Sequence, residues 1–144
     1  MKKKHLFKLL LSISMVFGFS VAVNAKTQGV SDDEIVVGTH TALSGPVAGW
    51  GTEATQGARL RFEEINAKGG IHGRKIKYVV EDSQYRVPIA VQKANKLINR
   101  DKVFFLIASI EATHNNAVFK MLKRKDIPNL FPYTAARSMF EPLD

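Results

Sequence analysis

Hydrophobic positions along the chain change their spacing several times, and each change marks a structural element. Residues 34–40, "EIVVGTH", are apolar or β-branched at successive positions, as in a strand covered on both faces. From Thr52 the spacing becomes three and four. Ala54, Gly57, Ala58, Phe62 and Ile65 mark one helical face, and Glu53, Gln56, Arg59, Glu63 and Glu64 fall outside it. Thr52 is placed to cap this helix, and the glycines of "NAKGG" are placed to end it. Residues 75–82 return to a strand pattern. Ile89, Ala90, Lys93, Ala94, Leu97 and Ile98 then trace a second helix with Pro88 in its first turn. A third strand is expected over 102–109, a third helix over 115–125 with Ala117, Val118, Met121 and Leu122 on one face, and a short fourth strand over 127–133.

The order β-α-β-α-β-α-β with short connections predicts an α/β fold: a parallel sheet, right-handed crossovers and helices on both faces. Ligands of such sheets bind beyond the carboxyl ends of the strands. Four loops meet there, at 41–51, 81–86, 108–115 and 132–138.

The N-terminus changes the compartment. Lys2, Lys3, Lys4 and Lys8 precede a fifteen-residue apolar run at 9–23, and small residues stand at Val23 and Ala25. This pattern predicts a Sec signal peptide at 1–25, cut after Ala25, and a periplasmic protein at 26–144 with no membrane insertion after cleavage. An uncleaved anchor needs about 20 apolar residues. With no cysteine in the chain, neither lipid attachment nor a disulfide is available. Of 21 basic residues, four leave with the signal, so 17 face 13 acidic ones and the net charge drops from +8 to +4. The remaining cations are scattered among apolar residues, so no nucleic-acid partner is expected.

Gly45, Gly49 and Gly51 lie in "LSGPVAGWG", between the first strand and helix, where a dinucleotide-binding protein would cradle a pyrophosphate. Asp82 ends the second strand where a ribose-binding acid would lie. Against this cofactor, Trp50 crowds the turn, Pro46 removes an N–H, and no Tyr-x-x-x-Lys follows. His5, His40, His72 and His114 are isolated in sequence and are expected on surfaces or loops, with no metal site. Asp82 is expected to accept N–H bonds from its loop. Glu81, Asp82 and Glu111 make an acid/base pair only if the loops bring them together. Tyr85 is either a pocket wall or a cover over the sheet end. No nucleophile-base arrangement is present, so the chain is not expected to be an enzyme or to need a cofactor.

The stretch "LSGPVAGWGTEATQGARLRFEEINAKGGIHGRKIKYVVEDSQY" resembles the N-terminal lobe of the periplasmic leucine/isoleucine/valine-binding proteins, the substrate-binding components of ABC transporters. The L-S-G-P turn, the G-A helix start, E-x-I-N-A-x-G-G-I-x-G-R and a strand ending in acids stand in order. "ANKLI", "DKVFFLIAS" and "KDIPNLFPYTAA" continue the resemblance, which covers residues 34–137. It implies a type I periplasmic binding fold whose two lobes close on a small amino acid or amide, and an inner-membrane permease as partner. Trp50 would line the cleft. Loops after the third and fourth strands would hold a zwitterion, its carboxylate on hydroxyl and backbone N–H groups.

The implied ligand residues are Trp50, Ala112, Thr113, Ala135, Ala136 and Arg137, with Tyr85, Ser109 and Glu111 as weaker candidates. Ala112 stands at a position that is usually serine, and Arg137 at one that is usually threonine or serine. Arg137 either pairs with a ligand carboxylate or ends a solvated loop, and Glu111 either reaches an ammonium or faces water. The chain carries the first four β-α elements of one lobe and is expected to be a truncated N-terminal part. The alternatives are a fragment that holds no ligand, an exported nucleotide-dependent enzyme and a receptor ectodomain.

Overall fold

The first strand, β1 (Glu34–Thr41), runs through the middle of a four-stranded parallel sheet in which its two faces meet different partners. A computed structural model describes residues 27–139 and 141; the expected signal peptide lies outside the described residues. The elements that follow are α1 (Ala48–Ala67), β2 (Lys75–Asp82), α2 (Val87–Asn99), β3 (Phe105–Ile107), α3 (Ala112–Arg124), β4 (Asn129–Leu130) and a 3-10 turn (Arg137–Met139). The strand order is β2-β1-β3-β4. β1 pairs with β2 over its whole length, from Glu34 opposite Lys75 to Thr41 opposite Asp82. The chain steps one way from β1 to β2 and the other way to β3 and β4. With right-handed crossovers this puts α1 on one face and α2 with α3 on the other.

Most of the dry core lies under α2 and α3. Val36, Ala94, Leu97, Ile98, Val103, Leu106, Val118, Leu122 and Ile127 pack together there. Each buried leucine or isoleucine contributes roughly 1.5–3 kcal/mol. Gly38 keeps β1 thin at this point, because a Cβ there would come within 2.8 Å of the Val103 side chain and 3.2 Å of Leu97. α2 is amphipathic, burying Ala90, Ala94, Leu97 and Ile98, with Pro88 in its first turn as expected.

Several boundaries differ from the sequence expectation. α1 starts at Ala48, so Thr52 lies inside it and does not cap it. The turn itself receives the first helical N–H groups, Ala48 donating to the Gly45 carbonyl at 3.2 Å and Trp50 to that of Val47 at 3.1 Å. The buried face is also rotated. Gly51 and Thr55 are inside, whereas Gly57 is exposed. Gly51 sets this rotation, since a Cβ on it would stand 2.0 Å from the Ala42 carbonyl oxygen. The far end of α1 matches expectation. Gly70 N–H bonds the Ile65 carbonyl and Gly69 N–H that of Asn66, with both glycines at positive φ.

The third and fourth strands are shorter than 102–109 and 127–133. Lys102, Ala108, Asp126 and Phe131 take φ values of 48–55°, which break extended structure at each end of these runs. α3 begins at Ala112, three residues before the expected start, because Glu111 supplies its N-cap.

Candidate functional site

The chain steps from β1 to β2 on one side and then crosses back past β1 to β3 on the other, so a crevice opens beyond the carboxyl ends of β1 and β3. The turn after β1 is fastened from the neighbouring loop. Asp82 accepts hydrogen bonds from Leu43 N–H (2.9 Å), the Ser44 hydroxyl (2.7 Å) and Gln84 N–H (2.8 Å). Partial burial opposes ionisation of Asp82, but these bonds outweigh it and its pKa is lowered. This is the loop-binding carboxylate that the sequence predicts. The glycines of the turn serve packing: Gly45 takes a φ of 86° and Gly51 admits the Ala42 carbonyl. The result projects Trp50 from the first turn of α1 into the crevice.

A cavity of about 480 Å³ occupies the crevice, and all four strand-end loops contribute to its lining. Val47 and Trp50 come from the first, Tyr85 from the second, Ile110, Glu111 and Ala112 from the third, and Tyr133, Thr134 and Ala135 from the fourth. The Trp50 and Tyr133 rings stand 6.3 Å apart at 50°, and are 62% and 53% exposed.

Among the described residues Glu111 is the one charged residue that lines the cavity. Its backbone lies at φ 77° and ψ 142°, territory that glycine visits freely and other residues rarely do, at a cost of about 1–3 kcal/mol. Its Oε2 accepts from Thr113 N–H (2.9 Å), His114 N–H (3.2 Å), the Thr113 hydroxyl and His114 Nδ1 (2.6 Å). Partial burial disfavours the charged form, yet these bonds prevail and bring the pKa down to about 2.

Beneath the cavity the sheet end is buried and polar. His40, Ser83 and Ser109 are fully enclosed, and His114 stacks on Tyr85 with ring centroids 5.3 Å apart. Asn115 ties two loops together. Its amide donates to the carbonyls of Ser109 (2.9 Å) and Glu111 (2.6 Å), and its oxygen accepts from Asn129 (2.9 Å). Neither ring nitrogen of His40 has a hydrogen-bond partner among the described residues. Burial, aided by the charge of His114, pushes the His40 pKa down to about 4 and keeps the ring neutral at pH 7. His40 and His114 are therefore interior residues, contrary to the surface placement expected of them; His72 is exposed and His5 lies outside the described residues. Among the described residues no cluster of three or more histidine or acidic side chains is placed to hold a metal ion.

Of the residues named from sequence, Trp50, Tyr85, Glu111, Ala112 and Ala135 come together around the cavity, so Tyr85 is a wall of it. Four do not. Thr113 turns its hydroxyl to Glu111, and Ser109 is buried beneath the lining. Ala136 is half-buried outside it. Arg137 has an 81% exposed side chain and pairs with Glu141 at 2.7 Å, the i,i+4 neighbour in reach of its guanidinium, so it ends a solvated loop. Glu81 is also remote in function, engaged by Lys93 and Lys96. Val47, Ile110, Tyr133 and Thr134 line the cavity without having been singled out, although each lies in one of the four strand-end loops.

A cavity walled by aromatic rings and a carboxylate thus lies at the switch point of the parallel sheet. The chain belongs to the periplasmic binding protein family, whose model matches residues 34–141. It is 42% identical over 86 residues to the leucine-specific-binding protein of Salmonella typhimurium, covering 60% of this chain and 23% of that one. An amino acid binding protein of Pseudomonas aeruginosa is 36% identical over 107 residues, covering 72% of this chain and 26% of the relative. Among solved structures, the branched-chain amino acid transporter substrate binding protein LivJ from Streptococcus pneumoniae, in complex with isoleucine, superposes with a TM-score of 0.70 at 26% identity, covering 74% and 31% of the two chains. A substrate-binding periplasmic protein from Ralstonia solanacearum gives 0.72 at 29% identity, covering 76% and 32%. The chain thus spans about a quarter of the length of these curated relatives. The two curated relatives are amino-acid-binding proteins. Among the described residues no helix is long and apolar enough to cross a membrane.

Proposed function

We propose that this chain is the N-terminal lobe portion of a periplasmic solute-binding protein that delivers branched-chain amino acids, or related small amino acids and amides, to an inner-membrane ABC permease. The observation that carries this reading is the cavity itself, formed by all four carboxyl-end loops in a chain of this family. Val47 and Ile110 supply apolar surface for an aliphatic side chain, Trp50 and Tyr133 supply aromatic walls, and Thr134 and nearby backbone groups supply polar contacts. The signal-like segment at 1–25 supports export, with residues 26–144 forming the lobe portion after cleavage. No step of this role calls for catalysis or a cofactor.

A second reading draws on the exposure of the same rings. With Trp50 62% and Tyr133 53% exposed, one wall leaves a ligand largely in water, so the described residues by themselves hold it weakly or not at all. Isothermal titration of the chain with leucine, isoleucine, valine, small amides and urea separates the two. Saturable heat for at least one compound is the expected result. Flat titrations of a chain whose circular dichroism shows it folded would leave the second reading standing.

A further inference from the structure

The start of α3 borders the cavity through Glu111 and Ala112. A ligand carboxylate would be received there by free N–H groups of the first helical turn. Two of them, from Thr113 and His114, already donate to Glu111 Oε2, and the Thr113 hydroxyl donates to the same oxygen. The protein's own carboxylate thus occupies donors that an incoming carboxylate would use. Among the described residues no lysine, arginine or histidine lines the cavity to compensate, and Arg137 is engaged by Glu141.

What the cavity does offer is negative charge and aromatic surface. Trp50, Tyr85 and Tyr133 belong to three different loops, and Glu111 stands with them in the same lining. Among the described residues no hydrogen bond reaches Glu111 Oε1. Aromatic rings and a carboxylate are the groups that recognise organic ammonium ions.

We infer that Glu111 is a specificity-determining residue that selects a small organic cation, an aliphatic compound with an ammonium group and no free carboxylate, such as an amino-acid amide or amine. The ammonium lies between Glu111 Oε1 and the aromatic faces of Trp50 and Tyr133, and the aliphatic part packs on Val47 and Ile110. The inference rests on the proposed ligand-binding role and narrows it within the amino-acid and amide class.

Trp50 is the sole tryptophan of the sequence and lines this cavity, so its fluorescence reports binding beside it. Three probes share one aliphatic group: leucinamide has only the cation, leucine has both charges and 4-methylpentanoate only the anion. In the full chain leucinamide is expected to bind tightest and 4-methylpentanoate weakest. Glu111→Gln keeps an oxygen able to cap α3 but removes the charge. It should weaken leucinamide roughly tenfold or more while improving 4-methylpentanoate. Tyr133→Leu, at a half-exposed position that does not threaten folding, should weaken leucinamide roughly two- to fivefold.

If leucine binds at least as well as leucinamide and Glu111→Gln alters neither, the cation assignment is overturned and the solute-binding role survives. If Glu111→Gln does not fold, the probe order in the unaltered chain and the Tyr133→Leu result decide the matter. If none of the three probes changes Trp50 fluorescence, both the assignment and the role above it fall.

Discussion

The middle of the sheet and its carboxyl end are both buried, but they are filled with opposite chemistry. In the middle, Val36, Leu97, Ile98, Val103 and Leu106 form a dry contact between β1, α2 and β3. At the end, the enclosed side chains are Thr39, His40, Thr41, Ser83, Ser109, His114 and Asn115. A lobe optimised only for stability would continue the apolar layer, since an enclosed polar atom without a partner costs roughly 1–3 kcal/mol. Polar side chains fix loops there, Asn115 across β3 and β4 and the partly buried Asp82 across β1 and β2, while those of Thr39, His40, Thr41, Ser83 and Ser109 have buried polar atoms without a hydrogen-bond partner among the described residues. Burial is spent on cohesion in one region and on the shape of the cavity in the other.

The sharpest test of this division is in the dry region. Leu97→Ala removes a fully enclosed side chain from the centre of the core and should lower the free energy of unfolding by about 3–5 kcal/mol, measured by urea denaturation. A loss below 1 kcal/mol would mean that the middle of the sheet is not where cohesion lies.

The polar end should reveal itself through acid. His40 has a folded pKa of about 4 against 6.5 in the unfolded chain, so between these values the unfolded chain binds a proton that the folded one refuses. Stability is complete above the ordinary histidine range and falls as pH drops from about 6.5 towards 4, by up to about 3 kcal/mol. Melting curves at pH 7 and pH 4.5 measure this, and His40→Asn should flatten the difference. Glu111 acts in a lower window: its contribution is present above about 4.5 and is lost as pH falls towards 2.

The smallest effect belongs outside both regions. Arg137→Ala breaks an exposed pair with Glu141 and should change stability by less than about 0.5 kcal/mol. Ligand titration of the variant should match the unaltered chain. A large loss of affinity would return Arg137 to the binding wall.

Much of the fold could be read from hydrophobic spacing because the elements are strongly patterned. The amphipathic face of α2 names its own buried residues, and the doubly covered run of β1 marks a central strand. Strand ends were harder to see. The apolar residues Phe104, Phe105, Leu106 and Ile107 carry no sign that Lys102 and Ala108 turn left-handed on either side. Thr52 was a plausible cap by local chemistry, but the long-range fit of Gly51 against Ala42 lets the helix begin earlier.

Site residues divide in the same way. Position at a strand end pointed to Tyr85 and Glu111, and the family resemblance to Trp50, Ala112 and Ala135, all of which line the cavity. Thr113 and Arg137, chosen by resemblance to a motif, have their side chains engaged by neighbouring carboxylates. Tyr133 had a usable signal, an aromatic residue directly after the last strand, in a loop already assigned to the site.

The shapes of the two outer strands bear on how copies of this chain meet one another. Among the described residues the sheet is bordered by β2 and β4. β4 has two residues, flanked by Pro128 and Pro132, with Phe131 at a φ of 48° between β4 and the second proline. A visiting strand finds too short a ladder there to hold on to. β2 offers eight residues, but the exposed Lys75 and Lys77 punctuate its first half with charge. The exposed ring of Phe131 can therefore attract a neighbouring molecule without giving it a backbone to extend, which favours brief encounters over the growth of a shared sheet.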